Sequence, residues 1–321
     1  MPPTVSISTA PVLHPQGAVE HLRLVRVTGY LDRLYRMGQR CGLLLSREEP
    51  DINYLCHLAM AQTGGKGWAG KALGDAGVPG FDYTRPFWVD EREALIQRGE
   101  VHVYGYAQSP LVRLQRHAAA MGDGVAAGCL DWAGAVEVLV PPTGTWRQGQ
   151  VLRFECRAFP TVLVPRVALA GAPPLDLAAN APLGAPDRHQ REVDAFAHYR
   201  EATPPEAQDK DRARVYDEWF RTQVARWAHV RAVQADGPRA RPAGSPGVRI
   251  LNLMLHGLSR GRVIRLTHDE RRLPVPVTLP DCTWVGTLEV LDSAGFDALL
   301  RRGVGRHRAF GAGMLRLWAA S

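Results

Sequence analysis

The sequence predicts an α+β protein built from two domains, each with the order strand, helix, strand, strand, helix, strand. Three observations lead there. The chain has 321 residues, 45% of them hydrophobic, enough for two ordinary cores of about 150 residues each. Period-two apolar runs alternate with helical spacings along both halves. A Pro- and Ala-rich stretch, residues 165–205, with little periodicity, separates those halves.

Residues 21–28 alternate, with Leu22, Leu24 and Val27 available for burial, and predict a first strand. Residues 29–50 read as an irregular link whose Arg33, Arg36 and Arg40 either grip a polyanion or face solvent. The run 51–62 starts on a capping Asp51 and spaces Ile52, Leu55, Leu58 and Ala59 as a helix, which Gly64 and Gly65 end. Strands follow at 86–89 and 101–107, then Pro110 opens a helix through Ala120. The alternating run 151–158 closes the first unit as its fourth strand. Beyond the connector, a helix over 212–233 puts Tyr216, Phe220, Val224 and Trp227 on one face, a stripe that reads as core. Strands at 248–256, 262–267 and 283–290, a helix at 293–302 and a strand at 314–318 complete the chain. Read twice, this is a tandem pair of ferredoxin-like, RRM-like βαββαβ domains. The expected bounds are 1–164 for the first domain, 165–205 for a connector or insertion and 206–321 for the second domain.

Composition excludes several classes. The five cysteines are scattered without a C-x-x-C pair, which fits reduced thiols better than a disulfide framework or a zinc site. No apolar run of about 18 residues occurs and the first residues do not read as a signal peptide, so a cytoplasmic protein without a membrane partner is expected. His229, His256 and His268 stand at no metal-ligand spacing, no acidic cluster suggests a two-metal nuclease and no Gly-x-Ser-x-Gly element is present. Neither a metal nor a cofactor is implied. Cys56 beside His57 suggests a thiol dyad, but adjacent helix positions point about 100° apart.

The net charge is +7, and its placement says more than its size. Up to Asp187 there are 17 Lys plus Arg against 17 Asp plus Glu; from Arg188 onward the counts are 22 against 15. A one-sided basic excess is a usual footprint of a phosphate-backbone partner, and a GC-rich coding sequence explains the preference for Arg equally well. The second half also carries Gly303, Gly305, Gly311 and Gly313 interleaved with Arg306, His307, Arg308 and Phe310. Glycine lets backbone amides approach phosphate oxygens, and arginine neutralises their charge. The alternative is a tight helix-to-strand turn that needs glycine for its dihedrals. It is not a dinucleotide fingerprint, since Arg308 replaces the third glycine and the element runs from helix to strand.

Three stretches carry a family resemblance: Trp284-Val-Gly-Thr-Leu-Glu-Val-Leu-Asp292 with the glycine-rich run from Leu300 to Leu317, the mid-chain Gly149-Gln-Val-Leu-Arg-Phe-Glu-Cys-Arg-Ala-Phe-Pro-Thr-Val162, and Tyr54-Leu-Cys-His57. Together they resemble the CRISPR repeat endoribonucleases of the RAMP superfamily, most closely the type I-E kind. Phe159 stands where that family has Asn, and the link 29–50 is longer than the family leads one to expect. The resemblance implies tandem ferredoxin-like domains and metal-independent cleavage of CRISPR repeat RNA beside its hairpin, leaving a 2′,3′-cyclic phosphate. His57 would serve as base or acid, Tyr54 as its orienting partner one helical turn away, and His307 as a rival proton donor or a phosphate ligand. Arg260, Arg262, Arg265, Arg271 and Arg272 lie on or between the strands before the glycine element, where they either contact RNA or guard an edge. The implied partners are the repeat hairpin and other Cas subunits of a type I-E-like or type IV-like complex such as Cascade, within antiviral defence. The alternative is a non-catalytic RNA-binding subunit of the same kind of ribonucleoprotein. Cleavage between the two domains is expected, because proton chemistry sits on the first and charge on the second.

Overall fold

Alternation along β1 (Arg23–Tyr30) buries Val25 and Val27 and turns Leu24 and Arg26 to the other face. The computed structural model describes residues 22–43, 51–63, 86–107, 110–120, 125–138, 146–165, 190–208, 210–228, 247–266 and 274–320. After β1 come α1 (Leu31–Arg40), α2 (Ile52–Thr63), β2 (Phe87–Asp90), α3 (Glu93–Ile96), β3 (Glu100–Ala107), α4 (Leu111–Ala120) and β4 (Leu130–Val138). The strands form one antiparallel sheet in the order β2-β3-β1-β4. Its inner face packs Phe87, Val101 and Val103 against Leu34 and Met37 of α1, Leu55 and Met60 of α2, and Leu114 of α4.

The second unit comprises β5 (Val151–Ala158), β6 (Thr161–Pro165), β7 (Gln190–Asp194), α5 (Ala195–Ala202), α6 (Arg212–Ala228), β8 (Val248–Leu266), β9 (Pro274–Val290), α7 (Ser293–Arg302) and β10 (Leu315–Ala319). Its sheet runs β10-β5-β9-β8, and β6 and β7 pair separately as a small ribbon. Taking β1 and β5 as first strands, both four-stranded sheets have the order second, third, first, fourth. The protein is thus a tandem of ferredoxin-like domains. Tyr216, Phe220 and Val224 of α6 are buried as their spacing predicts, while the side chain of Trp227 lies outside the described ones. Trp284 is fully buried against Phe220, and its indole N–H donates to Asp217 Oδ1 at 2.8 Å, so its polar atom is satisfied.

The structure corrects four sequence expectations. Residues 31–40 of the supposed irregular link form α1, in which Leu31, Leu34 and Met37 are buried; Tyr30 offers no side-chain cap, so no start signal marks it. There, Arg33 Nη1 donates to the Gly128 carbonyl at 2.9 Å and Arg36 pairs with Asp32, while Arg40 is exposed. The fourth strand of the first sheet is β4, which no expectation placed. Residues 151–158 are the first strand of the second sheet, paired with β9 and β10, so strand pairing changes from one sheet to the other between Val138 and Val151 and not at residue 164. Finally, 248–256 and 262–267 are not separate strands: β8 is continuous and pairs with β9 from Val248↔Val290 to Leu266↔Pro274. Because β5 covers β9 only as far as Cys282, the pairs from Ser259↔Asp281 onward form a two-stranded arm beyond the sheet. Most of the expected connector, residues 166–189, is outside the described residues; β7, α5 and the turn at Pro205–Ala207 belong to its described end.

Candidate active site and nucleic-acid interface

The helix that carries the proton-transfer candidates begins as its sequence predicts. The Tyr54 amide donates to Asp51 Oδ1 at 3.0 Å, a side-chain cap that fixes the first turn of α2. Tyr54 and His57 then share one face, with ring centroids 6.3 Å apart. His57 has only 5% of its surface exposed and lies nearly parallel to Phe87 of β2 at 6.2 Å, whereas Tyr54 is half-buried. Cys56, between them, is completely buried, and that burial pushes its thiol well above the ordinary value, which removes it as a nucleophile.

Tyr54 reaches across to the second domain. Its ring stacks on Phe310, with centroids 5.1 Å and an interplanar angle of 22°. Phe310 belongs to a satellite core with Phe159, Val263, Leu279 and Ala312, so the root of the hairpin arm, the glycine-rich loop and the Tyr-His helix meet at one place. On the neighbouring turn, Asn53 Nδ2 donates to Glu91 Oε1 at 3.0 Å. Arg157 of β5 makes a bidentate bond to Asp281 of β9, with N–O distances of 2.7–3.1 Å, and its guanidinium lies 5.4 Å from the Phe159 ring centroid. Nothing in the sequence spacing pairs Arg157 with Asp281, because they are 124 residues apart.

The glycine-rich loop is a packed junction. Gly303, Gly305, Gly311 and Gly313 all have φ between 70° and 82°. At Gly311 a Cβ would stand 2.2 Å from Asn53 Oδ1, and at Gly305 it would stand 2.8 Å from the Trp219 ring, so loop, α2 and α6 close on one another only through glycine. Three loop amides are already engaged: Val304 donates to Gly313 O and Phe310 to His307 O within the loop, and Gly313 donates to Arg157 O of β5. Those three amides are occupied, and close packing against Trp219 and Asn53 calls for glycine at 305 and 311.

His307 is neither solvated nor outward. It has φ 60°, and among the described residues it is the non-glycine with positive φ. Its Nε2 lies 2.6 Å from Glu192 Oε1 of β7, and its ring meets Phe159 edge-on at 5.7 Å. Glu192 also accepts from Thr161 Oγ1 at 2.5 Å and lies 3.4 Å from Arg306 Nε. Burial alone raises this carboxyl; the His307 hydrogen bond, with Thr161 and Arg306, outweighs it and holds the group down at about 2. The β6–β7 ribbon that supplies Glu192 had no recognisable sequence signal. Arg306 keeps 39% of its side chain exposed, and Arg308 donates to the Arg302 carbonyl at 2.6 Å. On the arm, Arg260 and Arg262 are exposed and alternate with the inward Gly261 and Val263. Arg265 is in β8 but its side chain is not among those described; Arg271 and Arg272, with His229 and His268, lie outside the described residues. Among the described residues no group of three His, Cys, Asp or Glu is placed to hold a metal ion, and no described helix is long and apolar enough to cross a membrane.

A family model described as CRISPR associated protein matches residues 98–318, from just before β3 into β10, well over half of the chain. The chain belongs to that family. Among solved structures, this CRISPR-associated protein is similar to Thermus thermophilus Cse3 bound to an RNA representing a pre-cleavage complex, at 16% identity over 92% of this chain and 98% of that one, with a TM-score of 0.44. It is also similar to Cas6e from Escherichia coli, at 12% identity over 92% and 99% with a TM-score of 0.41. A third likeness is to a CRISPR-associated protein Cas6, at 8% identity over 92% and 98% with a TM-score of 0.47. No curated protein sequence matches it.

Proposed function

We propose that this CRISPR-associated protein is a metal-independent endoribonuclease that cuts CRISPR repeat RNA beside its hairpin. The observation that carries the proposal is the placement of Tyr54 and His57 on one face of α2 where it meets Phe310 and the root of the arginine-bearing arm. In the reaction the 2′-oxygen attacks the adjacent phosphorus and the bond to the 5′-oxygen breaks. The 2′-hydroxyl gives up its proton and the leaving oxygen takes one, so the products are a 2′,3′-cyclic phosphate and a 5′-hydroxyl. His57 mediates one of these transfers, and the Tyr54 hydroxyl orients the phosphate. Arg306 and Arg308, with Arg260, Arg262, Arg265, Arg271 and Arg272, supply the positive charge that holds RNA and stabilises the phosphorane. His307, engaged by Glu192, serves in this reading to hold the loop that presents Arg306. The processed RNA then stays bound and enters a surveillance complex with other Cas subunits.

Because His57 is 5% exposed, hairpin binding must open the contact over α2 before the imidazole reaches the phosphate. That burial favours a second reading, a non-catalytic RNA-binding subunit in which His57 is a packing residue. A cleavage assay on hairpin repeat RNA in EDTA separates the two. The nuclease reading expects cleavage that falls about 10²-fold or more in His57→Ala while binding persists, and no cleavage of RNA carrying a 2′-deoxy sugar at the scissile position. Undiminished cutting by His57→Ala removes the site assignment, and no cutting at all by the parent protein leaves the binding-subunit reading.

A further inference from the structure

Transesterification moves two protons, one off the attacking 2′-hydroxyl and one onto the leaving 5′-oxygen, and His57 accounts for one of them. The acidic side chains near the meeting of α2, the glycine-rich loop and the arm are Asp51, Asp90, Glu91, Asp281 and Glu192, and most are committed. Asp51 Oδ1 caps the Tyr54 amide. Asp90 is buried and bound by Arg92, and Asp281 accepts the bidentate bond from Arg157. Glu192, held at about 2, is too weak a base to take a hydroxyl proton.

Glu91, on the turn after β2, differs. It is exposed, and among the described residues its hydrogen bond comes from Asn53 Nδ2, which donates to Oε1 at 3.0 Å and leaves Oε2 without a partner. Asn53 and His57 are four residues apart on α2, one above the other on a single stripe. Glu91 also lies within electrostatic reach of Cys56, and the strand that leads to it lays Phe87 against the His57 ring at 6.2 Å. Helix and strand thus bring the two groups to one side of the junction, with the carboxylate at the rim and the imidazole within. Around this carboxyl stand Asp51 and Asn53 from α2, Asp90 and Arg92 from its own strand and turn, and Arg157 with Asp281 from the second sheet. Loss of water raises its proton affinity and Asp90 adds to that, while Arg157 and the Asn53 bond offset part of the rise. The result is a stronger base than an ordinary glutamate. Arg157 also offsets the repulsion between this carboxylate and an incoming phosphate.

We propose that Glu91 is the second proton-transfer group of the reaction: its carboxylate takes the proton of the attacking 2′-hydroxyl, and His57, as imidazolium, gives one to the leaving 5′-oxygen. The bond from phosphorus to the 2′-oxygen forms as the bond to the 5′-oxygen breaks, and both side chains return to their starting states by exchange with water. The proposal rests on the nuclease reading and completes its proton balance.

Single-turnover cleavage of hairpin repeat RNA across pH tests it, with the full chain and its Glu91→Gln, Glu91→Asp and Asn53→Ala variants, and with melting temperatures measured at each pH. Glu91→Gln keeps an acceptor for Asn53 but loses the basic oxygen. Its rate should fall about 10²-fold, while its affinity for a hairpin blocked by a 2′-deoxy sugar stays at or above the parental value. The parental rate should climb with pH on the acidic side as Glu91 ionises. That climb should vanish in Glu91→Gln and persist in Glu91→Asp, which keeps a carboxylate on a shorter arm. Asn53→Ala, which removes the bond and leaves the carboxylate, should cut faster than Glu91→Gln. Parental cutting by Glu91→Gln, a slowed rate that keeps the acidic climb, or losses of rate and melting temperature that Asn53→Ala reproduces overturns the assignment and leaves His57 and the nuclease reading in place. No cutting by the parent chain removes the nuclease reading and the part of Glu91 with it.

Discussion

Tyr54 and Phe310, 256 positions apart, stack with ring centroids 5.1 Å apart and couple the two domains at the candidate site. The contact ties the helix of the proton-transfer candidates to the loop that carries the arginines. Neither domain alone positions both, so changes at this contact should affect stability and chemistry together.

Phe310→Ala should therefore destabilise the protein by roughly 3 kcal/mol, the usual cost of emptying a buried phenylalanine site, since Phe310 is 6% exposed among Phe159, Val263, Leu279 and Ala312. Phe310→Leu, which keeps apolar bulk, should lose less. Urea unfolding midpoints measure both, and cleavage by the folded fraction of Phe310→Ala should fall further than its RNA affinity.

Gly311→Ala tests the loop's docking on α2. The new methyl would stand 2.2 Å from Asn53 Oδ1 at a φ of 70°, combining a clash with a left-handed backbone that costs a non-glycine residue about 1–3 kcal/mol. A lowered melting temperature is expected. The double variant Asn53→Ala, Gly311→Ala should recover the steric part and keep the backbone part; full additivity would show that the two positions do not touch.

Elements with their own local signals were legible. Helix α7 spans the residues its spacing predicts, and the cap and first turn of α2 follow from Asp51. What failed depended on distant partners. The exposure of β4 does not alternate cleanly, and β1 bulges between Arg26 and Thr28 where the two pair, so no clean alternation marks β4 and the well-patterned β5 reads from sequence as the fourth strand instead. In the site, Tyr54, His57 and the glycine loop were visible as motifs. Glu192 was not, because its role comes from a ribbon that folds against His307 from 115 residues away. The inward turn of His307 follows from that same partner, so His307 could be read from sequence only as a loop residue.

Glu192 should give the protein an acid-sensitive limb. Its carboxyl is held at about 2, below the ordinary 4.5, so the folded state binds protons less readily than the unfolded chain. The resulting stability is fully present above pH 4.5 and is lost as pH falls toward 2. Glu192→Gln, which can still accept a hydrogen bond, should be less stable than the parent at neutral pH and converge with it in acid. Parallel curves of unfolding free energy against pH would mean that the His307–Glu192 pair carries no net stabilisation.

The arginines should separate into those that hold RNA and those that hold the fold. Arg260 and Arg262 are exposed on the arm, and Arg306 keeps 39% of its side chain exposed despite its approach to Glu192. Each that neutralises a phosphate should, when replaced by Ala, weaken RNA binding and reduce the slope of log affinity against log salt by about one. Arg157 is different: its bidentate bond to Asp281 joins β5 to β9 at the root of the arm. Arg157→Ala leaves Asp281 half-buried without its cation, so it should lower the unfolding midpoint and leave the salt slope as it was. A salt slope that drops in Arg157→Ala but not in Arg260→Ala or Arg262→Ala would move the RNA path off the arm and onto the floor between the sheets.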